Sequence, residues 1–409
     1  MIKYVKIATF YKQAIDYYYS KYPDITKEDY SVQYRHFMDQ YYGMSDSYER
    51  ELSDLGIDAI VIPVNVEPLL LSWGNEHSLN DFNKEEIVIS QLKQINPIIL
   101  FIDDISCFPI EYLAKIRKEI KSVRLFIGNC CSPYNDYTLQ VYKTFDFVFC
   151  CCNQLAKELN EQGIKTYVVM HGFDPKILQT LNSDIKKDID ILFTGSIIPG
   201  KGFHKQRNDL INKIIEKGIN LSIYGNIRSQ KKIVVRIKQL IYLIYKFLKS
   251  IDVLNIFRSE ILNRKILSGG YPQYIPFSKD LLKHVHEPRF GLDMFKLIQR
   301  SRICLNIHGD IASVDAANMR LFEATGMGTC LLTDWKANMC TLFDEGVEAV
   351  TYKDADDCVD KIHWLLSHLD RIEKISLAGQ RKCLEKHSVR ERAREMYDIL
   401  MKELGEDIL

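Results

Sequence analysis

No sign of charge dominates this sequence. Its 54 lysines and arginines balance 54 aspartates and glutamates, so no global field points to nucleic acid as a partner. Eleven cysteines are present, yet none forms a C-x-x-C pair and none stands at a zinc spacing from a histidine. Several fall in apolar, strand-like runs (Phe147 to Cys151, Ile303 to Leu305), where a free thiol behaves as a small buried hydrophobe. A signal peptide is not visible either. The opening MIKYVKIATF is short and charged, a strand rather than an exported apolar region, so a reducing, cytoplasmic setting is expected. Long apolar runs able to span a bilayer are missing. Neither half has a G-x-G-x-x-G after its first strand, which argues against an NAD-dependent dehydrogenase. No D-x-D motif is read near a strand end, so the sequence implies neither a metal nor a cofactor.

What is there is alternation. At 409 residues the chain is long enough for two domains, each with its own core. Strands are expected at Tyr4 to Phe10, Ala59 to Val64, Ile98 to Ile102, Val123 to Ile127, Phe147 to Cys150 and Thr166 to Met170. Helix-like stretches such as Ser45 to Leu55 and Pro109 to Ile120 separate them, the pattern of an open parallel sheet covered by helices. Loops at the strand ends should line its cleft: Thr9 to Lys12, Ser72 to Glu76, Asp103-Asp104 and Asn129 to Asn135. Tyrosine is abundant, notably Tyr17, Tyr18, Tyr19, Tyr41 and Tyr42, a pattern open to packing or to sugar contact. After a polar linker, Asn182 to Asp188, a second alternating half begins at Asp190 with DILFTGSIIPGKG. Its first strand ends in Gly195-Ser196, and Lys201 follows six residues after that glycine. A strand-end glycine lets backbone approach phosphate, and a nearby ammonium supplies charge. Arg207, opening the next helix, can assist. A further strand, Asn220 to Tyr224, ends at Gly225.

The second half is organised around DAANMRLFEATGMGTCLLTD, Asp315 to Asp334. A strand (Ile303 to Ile307) and a polar loop with His308 lead into it. Asn318 is a candidate N-cap for a helix from Met319 to Thr325, Gly326 its stop, and Thr329 to Thr333 the next strand. In a βαβ unit of this kind, N–H groups at the helix start favour an anion such as a diphosphate. Glu323 stands eight positions after Asp315, with Arg320 one turn before it. A carboxylate there can accept hydrogen bonds from a ribose or sugar diol while the arginine holds phosphate. The alternative is a first-turn glutamate serving the helix dipole and an aspartate exposed in a loop.

Asp315 followed by seven residues and Glu323 resembles the E-x7-E signature of retaining GT-B glycosyltransferases, with Asp in place of the first Glu. NMRLFEATGMGTCLLTD is similar to the CgeB-like branch of the group 1 clan. Gly195 to Gly202 resembles the clan's G-R-x-x-x-x-K-G element, with Ser196 replacing Arg, and His171-Gly172-Phe173-Asp174 resembles its N-G-x-D element. The resemblance implies two Rossmann-like domains facing across a cleft: residues 1–175 on the acceptor side, 176–390 on the donor side, and a terminal helix in 391–409 crossing back. It implies sugar transfer from a nucleotide sugar to a glycan, lipid-linked or protein acceptor, of the kind used in cell-surface polysaccharide or glycoconjugate synthesis. Asp315, Glu323, Lys201 and Arg207 would serve catalysis. Gly195, Ser196, Lys201, Arg207, Gly225, His308, Asn318, Arg320 and Glu323 would bind the donor, without a metal. An epimerase or hydrolase on the same fold, and a non-catalytic sugar-nucleotide-binding assembly protein, are the rivals.

The alternation is interrupted at about 227–274 by an inserted segment. On a helical wheel Ile233, Val234, Ile237, Leu240, Ile241, Ile244, Phe247, Leu248 and Ile251 share one face, and Lys231, Lys232, Arg236, Lys238, Lys246 and Lys249 the other. This basic amphipathic helix fits either an anionic membrane surface, placing the protein at the inner face of the membrane, or a solvated protein surface.

Overall fold

The structure is a computed structural model, and it describes residues 1–79, 83–182, 185–198, 203–227, 232–250, 271–274, 276–308 and 314–405. Two six-stranded sheets carry the fold. The first contains β1 (Ile2–Ala8), β2 (Ile57–Pro63), β3 (Ile99–Ile102), β4 (Leu125–Cys130), β5 (Phe147–Cys150) and β6 (Thr166–Val168), in the order β2-β1-β3-β4-β5-β6. The second contains β7 (Ile189–Thr194), β8 (Leu221–Tyr224), β9 (Val285–His286), β10 (Ser301–Asn306), β11 (Cys330–Asp334) and β12 (Val350–Tyr352), in the order β12-β11-β10-β7-β8-β9. The ladders described run parallel, as strand–helix alternation requires. Expected strand edges move by a few residues: β1 pairs with β2 from Ile2↔Ile57 to Ala8↔Pro63, not out to Phe10. This is the GT-B arrangement of two Rossmann-like sheets.

By its internal contacts the chain divides into one body, Met1–Phe193 with Arg289–Leu409, and another, Thr194–Pro288. In the first body, both faces of the first sheet are covered. One carries Val5, Ile7, Leu100, Ile102, Phe126 and Val148 against Leu92, Leu113 and Leu155 of flanking helices. The other packs Tyr4, Phe101, Ile127 and Phe147 against Leu52 and the final helix, Val389–Leu404. That helix buries Val389, Ala393, Met396, Leu400 and Leu404, a single stripe at helical spacing, and Ser388 caps its start by accepting from the Glu391 N–H at 3.4 Å. The tyrosines resolve into packing: Tyr18 is buried, its ring set edge-on to Phe37 at 4.9 Å and 89°.

The segment His171 to Pro175 is pinned by both of its neighbours. Phe173 donates its N–H to the His387 carbonyl at 2.9 Å and accepts from Val389 N–H at 2.9 Å. Asp174 is turned inward, accepting from the Ser47 hydroxyl at 2.7 Å and from the Arg50 guanidinium, which also meets Asp46. Below this network Lys6 and Glu49 form a buried ion pair at 3.3 Å.

His387 lies beneath the same crossing. Its Nε2–H donates to the Leu342 carbonyl at 2.9 Å, and its Nδ1 accepts from Arg392 at 2.8 Å. A ring whose second nitrogen faces a guanidinium cannot readily take a proton. Burial, with the Arg392 charge adding to it, lowers its pKa to about 4. In the unfolded chain it returns to about 6.5. Above that pH the ring is neutral in both states. Between about 6.5 and 4 only the unfolded chain gains the proton, so stability falls with falling pH by on the order of 3 kcal/mol. Melting temperatures measured from pH 7 down to pH 4.5 should show that loss, and His387→Gln should flatten it. An unchanged pH profile in the variant would remove His387 as the cause.

Candidate functional site

The carboxyl ends of β10, β11 and β12 converge on a set of polar side chains. Asn306, the last residue of β10, donates from Nδ2 to Thr333 Oγ1 at 3.0 Å. It also exchanges two hydrogen bonds with Asn318, at 3.2 and 2.8 Å. The Tyr352 hydroxyl donates to its carbonyl at 2.9 Å. Two residues on, His308 gives Asp334 Oδ1 both its backbone N–H (2.8 Å) and its ring Nδ1–H (2.7 Å). Burial works to raise the Asp334 carboxyl, but the hydrogen bonds and charge of His308 outweigh it and hold it below its usual range. The pairing places a proton on Nδ1, because an anionic carboxylate can only accept. That leaves Nε2, in a ring that is 4% exposed, without a hydrogen-bond partner among the described residues.

Arg320 and Glu323 follow on the helix Arg320–Gly326. They face each other one turn apart, Nη1 to Oε2 at 2.7 Å, and both are nearly buried. The guanidinium also lies 3.4 Å from Met294 Sδ. Asn318 is not the cap expected from its type. Met319 takes the N-cap position with no side-chain bond, because the Asn318 amide is committed to Asn306. Gly326 is the last helical residue rather than a stop beyond it, and its small size has another cause: a Cβ there would lie 2.2 Å from the Phe173 ring. The reversal falls to Gly328, at φ +67°.

Asp315 points elsewhere. Its Oδ2 accepts the backbone N–H of Gln154 at 3.0 Å, in the first turn of the helix Asn153–Glu161 that follows β5. The Gln154 side chain returns a contact by accepting from Val314 N–H at 3.1 Å. The aspartate thus satisfies an orphan helix N–H on the first sheet's side. Among the described residues no hydrogen bond or ion pair joins it to Glu323.

In the body Thr194–Pro288, the two expected glycines meet backbone to backbone. A Cβ on Gly225 would sit 1.8 Å from the Gly195 carbonyl oxygen, so the ends of the two strands close only with glycine there. Arg207, in the helix Phe203–Glu216, donates to the Ser196 carbonyl at 3.4 Å. The glycine-ended strand and the arginine are therefore brought together as the spacing suggests. Lys201 lies outside the described residues.

Sequence reasoning missed Asn306, Asp334 and Tyr352, although Asp334 closes the strand after the central motif and its position was a usable signal. It also passed over a D-x-D triplet, Asp354-Ala355-Asp356, just after β12. Asp354 accepts from the Asp356 and Asp357 N–H groups and caps the helix Ala355–Ser367, which accounts for it. A thiol and imidazole cluster was missed as well: Cys131, Cys151 and His171 bring their ligand atoms within 4.8 Å of one another.

Residues 207–398 match a family described as glycosyl transferase-like. No curated protein matches the chain in sequence. Several solved structures share its fold along nearly its whole length. HepE of Anabaena in complex with UDP-glucose aligns at TM-score 0.56 and 11% identity over 98% of this chain and 99% of its own. A glycosyltransferase from Rickettsia africae aligns at 0.55 and 12%, covering 99% of each chain. Sucrose-phosphate synthase from Thermosynechococcus elongatus aligns at 0.53 and 10%, covering 98% of each. At these identities the likeness is one of fold.

Proposed function

We propose that this chain is a glycosyltransferase that moves a sugar from a nucleotide-sugar donor to a glycan, lipid-linked or protein acceptor in cell-surface polysaccharide or glycoconjugate synthesis. One observation carries the reading. The glycosyl transferase-like match runs across the carboxyl ends of β10 to β12, where His308 presents a buried Nε2 that has no hydrogen-bond partner among the described residues. A polar group kept that way inside a fold calls for a ligand. The resemblance assigns Glu323 to the ribose of the donor and Lys201 to its diphosphate, and the positions of Arg207 and Arg320 suit them to assist there.

In the reaction the bond between the sugar's anomeric carbon and the diphosphate oxygen breaks, and the acceptor oxygen bonds to that carbon as it loses its proton. Charge grows on the departing diphosphate, and fixed cations and N–H groups can stabilise it without a divalent ion. Transfer should therefore persist without added Mg2+ or Mn2+. Retention at the anomeric carbon is carried only by the E-x7-E likeness. The engagement of Asp315 with Gln154 supports a role for it in joining segments across the first body rather than at the sugar.

UDP-glucose is the first donor to offer, in view of HepE. Calorimetry with the wild type and with Glu323→Ala tests the ribose contact. The variant should lose roughly 1.5–3 kcal/mol of donor binding, the range for a hydrogen bond to a charged group. Unchanged affinity in a folded variant rejects the assignment. Product analysis distinguishes transfer to an acceptor from release of free sugar or change of the donor's own sugar.

A further inference from the structure

We propose that the first sheet carries a metal site of the zinc class, built from Cys131 Sγ, Cys151 Sγ and a ring nitrogen of His171, with a fourth position open. The three residues stand at intervals of twenty in the sequence, each just past the carboxyl end of one of three neighbouring parallel strands. In the ladders Cys130 lies opposite Cys150, and Cys150 opposite Val168. Cys131 and Cys151 directly follow the first pair and His171 stands three residues beyond Val168, so all three emerge at the same end of the sheet. No local motif reports such a set, because its members are joined by strand pairing rather than by a turn.

The distances suit an ion. Around a tetrahedral zinc with bonds of about 2.3 Å to sulfur and about 2.0 Å to nitrogen, ligand atoms lie roughly 3.5–3.8 Å apart. The three donor atoms here are all within 4.8 Å of one another, so closure needs side-chain adjustment and no change of fold. Two thiolates and an imidazole form a soft to borderline donor set, which favours zinc and its thiophilic relatives over magnesium or calcium.

The surroundings hold the ligands in place. Cys131 Sγ is 3.4 Å from Asn129 Oδ1. The His171 carbonyl accepts from Arg392 Nε at 3.3 Å, and the Met170 carbonyl before it accepts from the Tyr48 hydroxyl at 3.2 Å. Gly172, next to His171, runs close against the Ser388 backbone, which a Cβ there would approach to 3.0 Å. Cys151 is buried while Cys131 and His171 are partly exposed, so an ion has a path in and a face left for water or another ligand. Three protein ligands with an open position are the arrangement of zinc sites that bind a further molecule. The site lies in the strand-end loops of the first sheet.

The test uses the full chain, purified under reducing conditions without chelator. Elemental analysis should find close to one zinc per chain. Cobalt(II) added to stripped protein should give the thiolate-to-cobalt charge-transfer band and the intense visible bands of tetrahedral cobalt, and zinc should displace them. Cys131→Ser and His171→Gln, both at partly exposed positions, should lose the charge-transfer intensity or the bound metal while keeping the wild-type circular dichroism. Cys340→Ser, an exposed cysteine outside the cluster, should leave both unchanged. The proposal is overturned if the cobalt spectrum survives in the Cys131→Ser/His171→Gln double variant. It is equally overturned if fully reduced protein takes up no zinc or cobalt, or if mass spectrometry finds Cys131 and Cys151 joined as a disulfide in protein that still binds the metal.

Discussion

Glu49→Ala should destabilise the first body by about 3–5 kcal/mol, the usual cost of leaving one member of a buried ion pair without its partner. Lys6 and Glu49 meet at 3.3 Å with side chains only 5% and 2% exposed. Lys6 belongs to β1, and its Nζ also donates to the Ser45 carbonyl at 3.2 Å. Removing the carboxylate leaves a buried ammonium whose remaining hydrogen bond is to the Ser45 carbonyl, with Asp103 and Asp46 as the more distant counter-charges. In a domain of this size the melting temperature should drop by on the order of 10 °C. The pair need not be net stabilising in itself, because taking both charges out of water costs nearly what their attraction returns. Lys6→Met with Glu49→Met should therefore recover most of what Glu49→Ala loses. Differential scanning calorimetry of the three proteins decides it. If the double variant melts as low as the single one, the loss comes from the packing of the helix Ser47–Asp54 and not from the orphaned charge. The effect would reach the end of the first sheet, since the same helix carries Ser47 and Arg50 to Asp174 and so fixes the segment that holds His171.

The contrast between Glu49 and the strands shows what a sequence discloses. The apolar runs of β3, β5, β10 and β11 are readable because a strand buried on both faces needs continuous small and branched hydrophobes. The Arg320–Glu323 pair is readable because three residues on a helix make neighbours. The glycines at 195 and 225 are readable as strand ends. Asn318 is not, because its amide chooses between a helix N–H and Asn306, and that choice depends on a strand twelve residues away. The contact of Asp315 is hidden for the same reason: its carboxylate accepts the N–H of Gln154, from a segment 161 residues distant. The Cys131, Cys151 and His171 cluster is the extreme case, where every contact follows from sheet order. Chemistry local to one element is legible, and chemistry that depends on which elements become neighbours waits for the fold.

Reversing the cationic side of the inserted helix should abolish association with an anionic membrane, one of the two surfaces its pattern fits. The helix spans Lys232–Ser250. Its inward contacts are made by Val235 and Tyr245, both buried, with the Gln239 side chain donating to the Pro272 carbonyl at 2.7 Å. The apolar arc is turned the other way. Ile233, Ile237, Leu240 and Phe247 are 67%, 53%, 58% and 63% exposed, an arrangement that costs solubility unless something apolar receives it. Among the described residues no helix is long and apolar enough to cross a membrane, so this face would lie along a surface rather than through it. Lys232, Arg236, Lys238 and Lys246 are exposed on the remainder of the helix circumference, with no acidic residue in the helix, and an anionic leaflet is the apolar partner that also meets cations. Each such charge is worth about 1 kcal/mol near an anionic membrane. Losing four costs about 4 kcal/mol, close to a thousandfold in partitioning. In flotation with vesicles containing phosphatidylserine, the wild type should rise with the lipid at low salt and less so as salt is added. The variant carrying Lys232→Glu, Arg236→Glu, Lys238→Glu and Lys246→Glu should stay at the bottom. A wild type that stays there too ends the membrane reading and leaves a second protein as the partner of the apolar arc.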